Sequence, residues 1–295
     1  MSADDLLVQQ IVEEVVRRIR AGASAPAVPA PGSTTARGEA CTREPRPVHA
    51  IERPAIAAII PALVAATSSQ VAMGRAGNRF RTEDYLRARE GSADARDAVH
   101  SVVADSWPAQ NDLVPLRSRC RDRHEYLLFP GQGRRLDDPS RAAVQARAGQ
   151  AAAPVDVQLI VGDGLSPSAI MQNGAATLAA LRRALTAAGY SLGTGYFVRY
   201  ARIAVADEIG VLARARASVI LVGERPGLGT GDSLSVYIAV APKMGQDNAE
   251  KNCISNVRPI GIAPEEAAAQ TVAILQRGFE RGVGGVALGL GWGRS

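Results

Sequence analysis

Three loops hold the residue types from which a ligand site could be made. The first, GERPGLGTGD from Gly223 to Asp232, follows the apolar run SVILVG. Its glycines permit positive φ and close backbone approach to a ligand, and a carboxylate and a guanidinium stand at its start. It lacks the G-x-G-x-x-G spacing and an immediate following helix, so a dinucleotide fingerprint is weakly supported and a turn between adjacent strands serves equally well. The second, Val161-Gly162-Asp163-Gly164-Leu165-Ser166, joins a strand-like run to a helix start, where backbone donors could face a polar ligand or make an ordinary turn. The third is Cys253-Ile254-Ser255-Asn256. A nucleophilic thiol needs a base or an electropositive setting, and no histidine lies near Cys253 in sequence, so packing is the better reading of that residue alone.

Other chemistries are excluded by what is missing. Cys41, Cys120 and Cys253 form no CxxC pair, and His49, His100 and His124 are scattered, which argues against a disulfide framework or a zinc site. No catalytic acid-base constellation and no metal-ligand set can be named. The chain has a net charge of +5, but only Lys243 and Lys251 are lysines; all other basic residues are arginines among abundant Ala and Gly. That bias reads as coding composition, not as a nucleic-acid footprint, since no recognition module accompanies it. No run of about 18 apolar residues predicts a membrane span, and the first residues lack the basic start of a secretory signal. The expected location is the cytoplasm.

The elements that must position these loops fall into four stretches. Residues 1–21 read as an amphipathic helix whose apolar stripe includes Leu7, Ile11, Val15 and Ile19, with Glu13, Glu14, Arg17 and Arg18 on the polar side. Residues 22–50, rich in Pro and Ala, read as a disordered linker. Such a tethered helix could recruit a partner or fold back on its own domain.

Residues 51–150 read as mainly helical. Thr82 is the expected cap of a helix carrying Tyr85 and Leu86, and Val99, Val102 and Val103 continue an apolar face to a stop at Pro108. The alternation of Arg117, Arg119, Arg121 and Arg123 predicts one face of a short strand near Tyr126, Leu127 and Leu128, either solvated or facing an acidic neighbouring subunit.

Residues 151–295 alternate strand and helix patterns. VDVQLIV is a strand, Ser166 and Pro167 open a helix with Leu178, Leu181 and Leu185 inward, and YFVRYARI is the next strand. A helix from Asp207 to Arg216, the strands SVILVG and LSVYIAV, and a helix lined by Ala268, Val272, Leu275 and Phe279 complete the series. The fold class expected is α/β, a Rossmann-like, mostly parallel sheet with ligands beyond the carboxyl ends of its strands.

Taken in order, VGDGLSPSAI, YFVRYARIAVADEIG, LVGERPGLGTGDSLSVY and CISNV resemble the small subunit of ethanolamine ammonia-lyase, as do the upstream MGRAGNRFRT and the GRRL piece from Gly133 to Leu136. The resemblance covers roughly residues 55–280. It departs from the family pattern at Ile203, where Val is frequent, and at Asn78 and Phe80, where prolines are common. The Gly-rich tail from Gly282 has no assigned counterpart.

The resemblance implies a radical conversion of ethanolamine to acetaldehyde and ammonia with adenosylcobalamin as cofactor, active only with a TIM-barrel large subunit. It implies that Ile203, Glu224 and Cys253 contact the cobalamin: Glu224 as a hydrogen-bond acceptor, Ile203 as apolar surface and Cys253 as a small packing group. It also implies a bacterial microcompartment, with the N-terminal helix binding a shell protein. Two rivals remain at this level, a free-standing nicotinamide-dependent oxidoreductase and a non-catalytic Arg-rich adaptor.

Overall fold

The structure is a computed structural model describing residues 51, 54–67, 69–150 and 153–289. The expected helix over 1–21 and linker over 22–50 lie outside the described residues.

The first part is helical with two short ribbons of strand. Helix α1 (Ile59–Ala66) precedes the pair β1 (Arg75–Ala76) and β2 (Arg79–Phe80), which is antiparallel and places Arg75 over the Phe80 ring. Helix α2 (Thr82–His100) follows, then α3 (Trp107–Gln110), strand β3 (Val114–Arg117), α4 (Arg123–Leu128), a 3-10 turn (Gln132–Arg134) and α5 (Asp138–Gln150). Several expectations are corrected here. Thr82 is the first helical residue, with Arg81 at the cap, and both Tyr85 and Leu86 are exposed. Pro108 opens α3 instead of stopping a helix, as its fixed φ and missing N–H allow.

The alternating arginines do not share a strand face. Only Arg117 belongs to β3, and Tyr126 to Leu128 are helical because Asp122 accepts from Glu125 N at 2.8 Å and caps α4. Three of the four arginines then find separate tasks. Arg117 stacks on Tyr200, Arg121 pairs with Glu125, and Arg123 donates to the carbonyls of Val99, Gly164 and Leu165.

The second part supplies β4 (Val157–Gly162), α6 (Pro167–Ala169) continuing through a π turn (Ile170–Gly174) into α7 (Ala175–Ala187), β5 (Tyr196–Arg199), α8 (Val205–Leu212), β6 (Ala217–Gly223), β7 (Leu234–Val240), β8 (Lys251–Val257) and α9 (Pro264–Arg281). Ser166 caps α6 as expected, accepting from Ala169 N at 3.2 Å. Strand β3 joins the same sheet, so residues before and after 150 build one layer.

The sheet order is β3-β5-β4-β6-β7-β8. The first four strands are parallel, while β6, β7 and β8 run antiparallel to one another. The architecture is therefore α/β with a mixed, mostly parallel sheet. CISNV, read above as a loop, is β8. Its burial alternates because one face packs and the other does not, so it lacks the continuous apolar run of a central strand.

Two cores lie on the two faces. Leu159, Val161, Val219, Leu221, Val236 and Ile254 face a layer that includes Leu178, Leu181 and Leu275 of α7 and α9. On the other face, Ile160, Val198 and Ile220 meet Val205 and Ile209 of α8 and Val144 of α5. That second layer covers the parallel strands. The described part of the tail packs on the sheet: Leu288 is fully buried in the first core, and Gly285 N donates to Asn252 Oδ1 at 2.8 Å.

The exits of β4 and β6 approach each other more closely than side chains would permit. Leu165 N donates to Gly223 O at 3.0 Å, and a Cβ on Gly223 would run into the Ser166 carbonyl. Gly223→Ala should therefore cost about 1–3 kcal/mol through forced displacement, seen as a fall in Tm of about 2–4 °C per kcal/mol in thermal unfolding.

Candidate functional site

Beyond the carboxyl ends of β4, β5 and β6 lies a cavity of about 860 Å³. Its wall takes Leu165 from the β4 exit, Ala201 to Ala204 from the β5 exit and Gly223 to Arg225 from the β6 exit. The 3-10 turn before α5, the β7–β8 connection and Ser235 and Tyr237 of β7 supply most of the rest.

Strand β7 explains why this space exists. Val236 and Ile238 point into the first core, so Ser235 and Tyr237 point to the opposite face, where both line the cavity and Tyr237 packs against the edge of the second core. Tyr237 lies opposite Cys253 on β8. Two sequence-expected residues, Ile203 and Glu224, line the cavity itself. Cys253 is exposed and adjoins the cavity through Tyr237. Desolvation of the sulfur by the neighbouring strand pushes its thiol pKa up, with hydrogen bonds to Tyr237 and Ser235 opposing, so thiolate formation is disfavoured.

Glu224 is held with unusual completeness. Ser235 Oγ donates to its Oε1 at 2.6 Å, Asn256 N to the same oxygen at 2.8 Å, and Ser233 Oγ to Oε2 at 2.7 Å. The Asn256 contact has a structural cause. The ladder between β7 and β8 is irregular near Leu234 and Val236, Asn256 adopts φ of 61°, and its N–H turns to Glu224. A carboxylate offers about four lone-pair sites. Three are used, and the remaining one lies on Oε2.

The other loop expected from the sequence does something else. Asp163 is 2% exposed, accepts from Ala201 N at 3.0 Å and sits 4.0 Å from Arg123. It ties the β4 exit to the β5 exit from inside. Only Leu165 of that loop reaches the cavity.

Two neighbouring acids on α8, each about 1% exposed, hold opposite walls. Asp207 pairs with Lys251 at 3.0 Å, and Lys251 Nζ also donates to Gln246 O at 2.9 Å, which fixes the lining segment between β7 and β8. Glu208 accepts from Leu136 N at 2.9 Å and pairs with Arg141 at 2.5 Å, which fixes the turn carrying Arg134 and Arg135. Sequence reading missed this pair because adjacent acids near a helix start usually signal a solvated face.

The glycine loop after β6 joins antiparallel neighbours and opens no helix, so the geometry of a dinucleotide site is absent from it. The family model of the ethanolamine ammonia-lyase light chain (EutC) matches residues 58–289. The chain belongs to this family. It is the light chain of a B12-dependent ethanolamine ammonia-lyase, a carbon-nitrogen lyase that uses adenosylcobalamin, and membership implies a complex with the large subunit. The match extends through the Gly-rich tail to Gly289. No helix among the described residues is long and apolar enough to cross a membrane.

The light-chain cavity fits such a cofactor on chemical grounds. Leu165, Ile203 and Val222 offer apolar surface, Glu224 offers one acceptor to an amide N–H, and arginines offer donors. No histidine is among the lining residues, and Tyr126 and Tyr237 both have phenol pKa values pushed up by burial. These groups are suited to binding, not to proton transfer at neutral pH.

The buried pair behind the wall is testable. Lys251→Met leaves Asp207 charged and unpartnered and should cost about 3–5 kcal/mol, whereas Lys251→Met with Asp207→Leu should recover much of that loss. Chemical denaturation of the three proteins reads both changes.

Proposed function

We propose that this chain closes one side of the cobalamin site, with Ile203, Glu224 and Cys253 as its contacts and with the catalytic groups for ethanolamine on a TIM-barrel large subunit. The observation that carries this reading is the Glu224 carboxylate, locked by Ser233, Ser235 and Asn256 with one acceptor site left on a residue that lines the cavity. A preformed acceptor binds an amide donor without the entropic cost of ordering a free side chain. Ile203 contributes apolar surface on the neighbouring strand exit. Cys253, paired with Tyr237, acts as a small packing group.

Adenosylcobalamin, when bound, supplies the radical chemistry. The light chain binds and orients the group and excludes water from its side of the site. The exposed Cys253 and Ser255 of β8, beside the cavity-lining Ser235 and Tyr237, mark where the large subunit would complete the enclosure.

Glu224→Ala should weaken cobalamin binding to the reconstituted two-subunit complex by about 1–3 kcal/mol while the complex still assembles. Spectral titration gives the dissociation constant and gel filtration the assembly. An unchanged constant removes Glu224 from the site.

The second part of the proposal concerns residues 1–21. Their apolar stripe, with the Pro-rich stretch over 22–50, supports a role as a tag that lays a helix in a groove of a microcompartment shell protein. Confinement of volatile acetaldehyde gives the enzyme a reason to be packaged. Deleting residues 1–22 should leave reconstituted activity nearly unchanged and abolish co-sedimentation with shell particles. Packaging of the truncated chain at the full-length level, or loss of association with the large subunit, would overturn it.

A further inference from the structure

Four arginines line the cavity, Arg134, Arg135, Arg202 and Arg225, and none of them forms an ion pair among the described residues. Elsewhere in the fold, Arg141, Arg199, Arg216 and Arg258 each reach a carboxylate within 3.1 Å. The contrast is sharper because two carboxylates line the same space. Glu224 is committed to two serines and a backbone N–H, and Asp247 accepts from Ala249 N at 2.8 Å. Among the described residues no carboxylate pairs with this positive charge.

Arg202 is the fixed member of the group. Its guanidinium lies 4.2 Å from the centroid of the Tyr126 ring, and its Nη2 donates to Tyr126 O at 3.0 Å. Tyr126 is itself 1% exposed and anchored by its hydroxyl, which donates to Ala201 O at 3.0 Å. The GRRL turn docks against this stack. Arg202 N donates to Gly133 O at 2.8 Å, and a Cβ on Gly133 would lie 2.8 Å from Arg202 Cγ, so glycine is needed there and Arg134 and Arg135 are delivered beside Arg202. The Nε of Arg202 is buried without a partner. A guanidinium with an orphan donor and no counter-ion is costly unless an anion arrives.

We propose that these arginines form a phosphodiester subsite, and that its ligand is the phosphate in the nucleotide loop of the cofactor. The proposal rests on the cavity being the cobalamin site. Cobalamin carries neutral amides around its corrin ring, and the single anionic group on its periphery is the phosphodiester. A planar guanidinium fork matches phosphate oxygens in geometry as well as charge, which a lysine would not do. Glu224 and the arginines thus read different parts of one ligand: the acceptor takes an amide N–H, and the donors take the phosphate.

Cobinamide, which lacks the phosphate, ribose and base, provides the test. Binding of hydroxocobalamin and of cobinamide is measured by spectral titration of the reconstituted two-subunit complex, for the unmodified protein, Arg202→Met, the double variant Arg134→Gln/Arg225→Gln, and Glu224→Ala. The double variant removes two exposed side chains with no internal partner, so it keeps the test valid should Arg202→Met unfold. Cobalamin affinity should fall about tenfold or more in the arginine variants, with cobinamide affinity unchanged, and the salt dependence of cobalamin binding should weaken. Equal losses for both ligands, or no loss for either, overturn the phosphate assignment. Dissociation of the subunits on gel filtration, with ligand affinity intact where the complex persists, assigns the arginines to an acidic face of the large subunit and overturns it as well. Glu224→Ala separates the two levels: if it weakens both ligands while the arginine variants do not discriminate between them, only the phosphate subsite fails, and if it weakens neither, the cavity reading fails and the subsite with it.

Discussion

Asp207 and Glu208 stand side by side in α8 with almost no water to solvate them, and the walls of the cavity are arranged by what these two charges require. A buried carboxylate without partners is costly enough that the fold must bring donors to it. Asp207 draws in Lys251, whose ammonium has three donors and places two more of them near Gln246 O and Asn248 Oδ1. Glu208 draws in Leu136 N and Arg141. One helix on one face of the sheet thereby sets the positions of two connections far apart in sequence, those around 134–136 and 246–251. Burial pushes the Asp207 carboxyl pKa up while Lys251 opposes the shift, so the charged pair exists only because its geometry is good.

The mixed sheet follows a related logic. Parallel strands need covering on both faces, and β4 and β6 are buried along their whole length between the helix layers. Antiparallel β7 and β8 are released from that demand. They pack one face on α9 and leave the other with Ser235, Tyr237, Cys253 and Ser255. Where β6 exits, Glu224 links that exit to the irregular end of β8. The carboxylate is thus both a brace and an acceptor, because an oxygen pair has more lone pairs than the brace consumes.

Much of this was legible in the residues. The apolar runs that became β4, β6 and β7, the Ser166 cap and the inward face of α9 follow from local rules of burial and capping. Ile203 and Glu224 came from blocks of resemblance and share one cavity. Strand β8 escaped because half of its positions are polar. The arginine alternation misled because period two is a strand signal only where a ladder partner exists; Arg121 and Arg123 were decided instead by the Asp122 cap. The polar lining on β7 could have been found in LSVYIAV, where Ser235 and Tyr237 interrupt aliphatic residues at every second position. Asp207 and Glu208 could not, since burial of adjacent acids depends on Lys251 and Arg141, which are remote in sequence.

The same physics bears on how a cavity with no histidine among its lining residues can still be specific. Binding selectivity is strongest where a site leaves its own polar groups unpaired in the absence of the right ligand. Here the carboxylates of the cavity accept from donors of the chain, whereas Arg202 keeps a buried Nε without a partner among the described residues. Under the proposed phosphate subsite, a cofactor presenting amides and a phosphodiester would relieve that imbalance, and a corrin without the phosphodiester would not. The fold spends its rigid elements, the stacked Tyr126 and Arg202 and the braced Glu224, on holding donors and acceptors apart at fixed places, which is what a subunit that orients a large cofactor has to do.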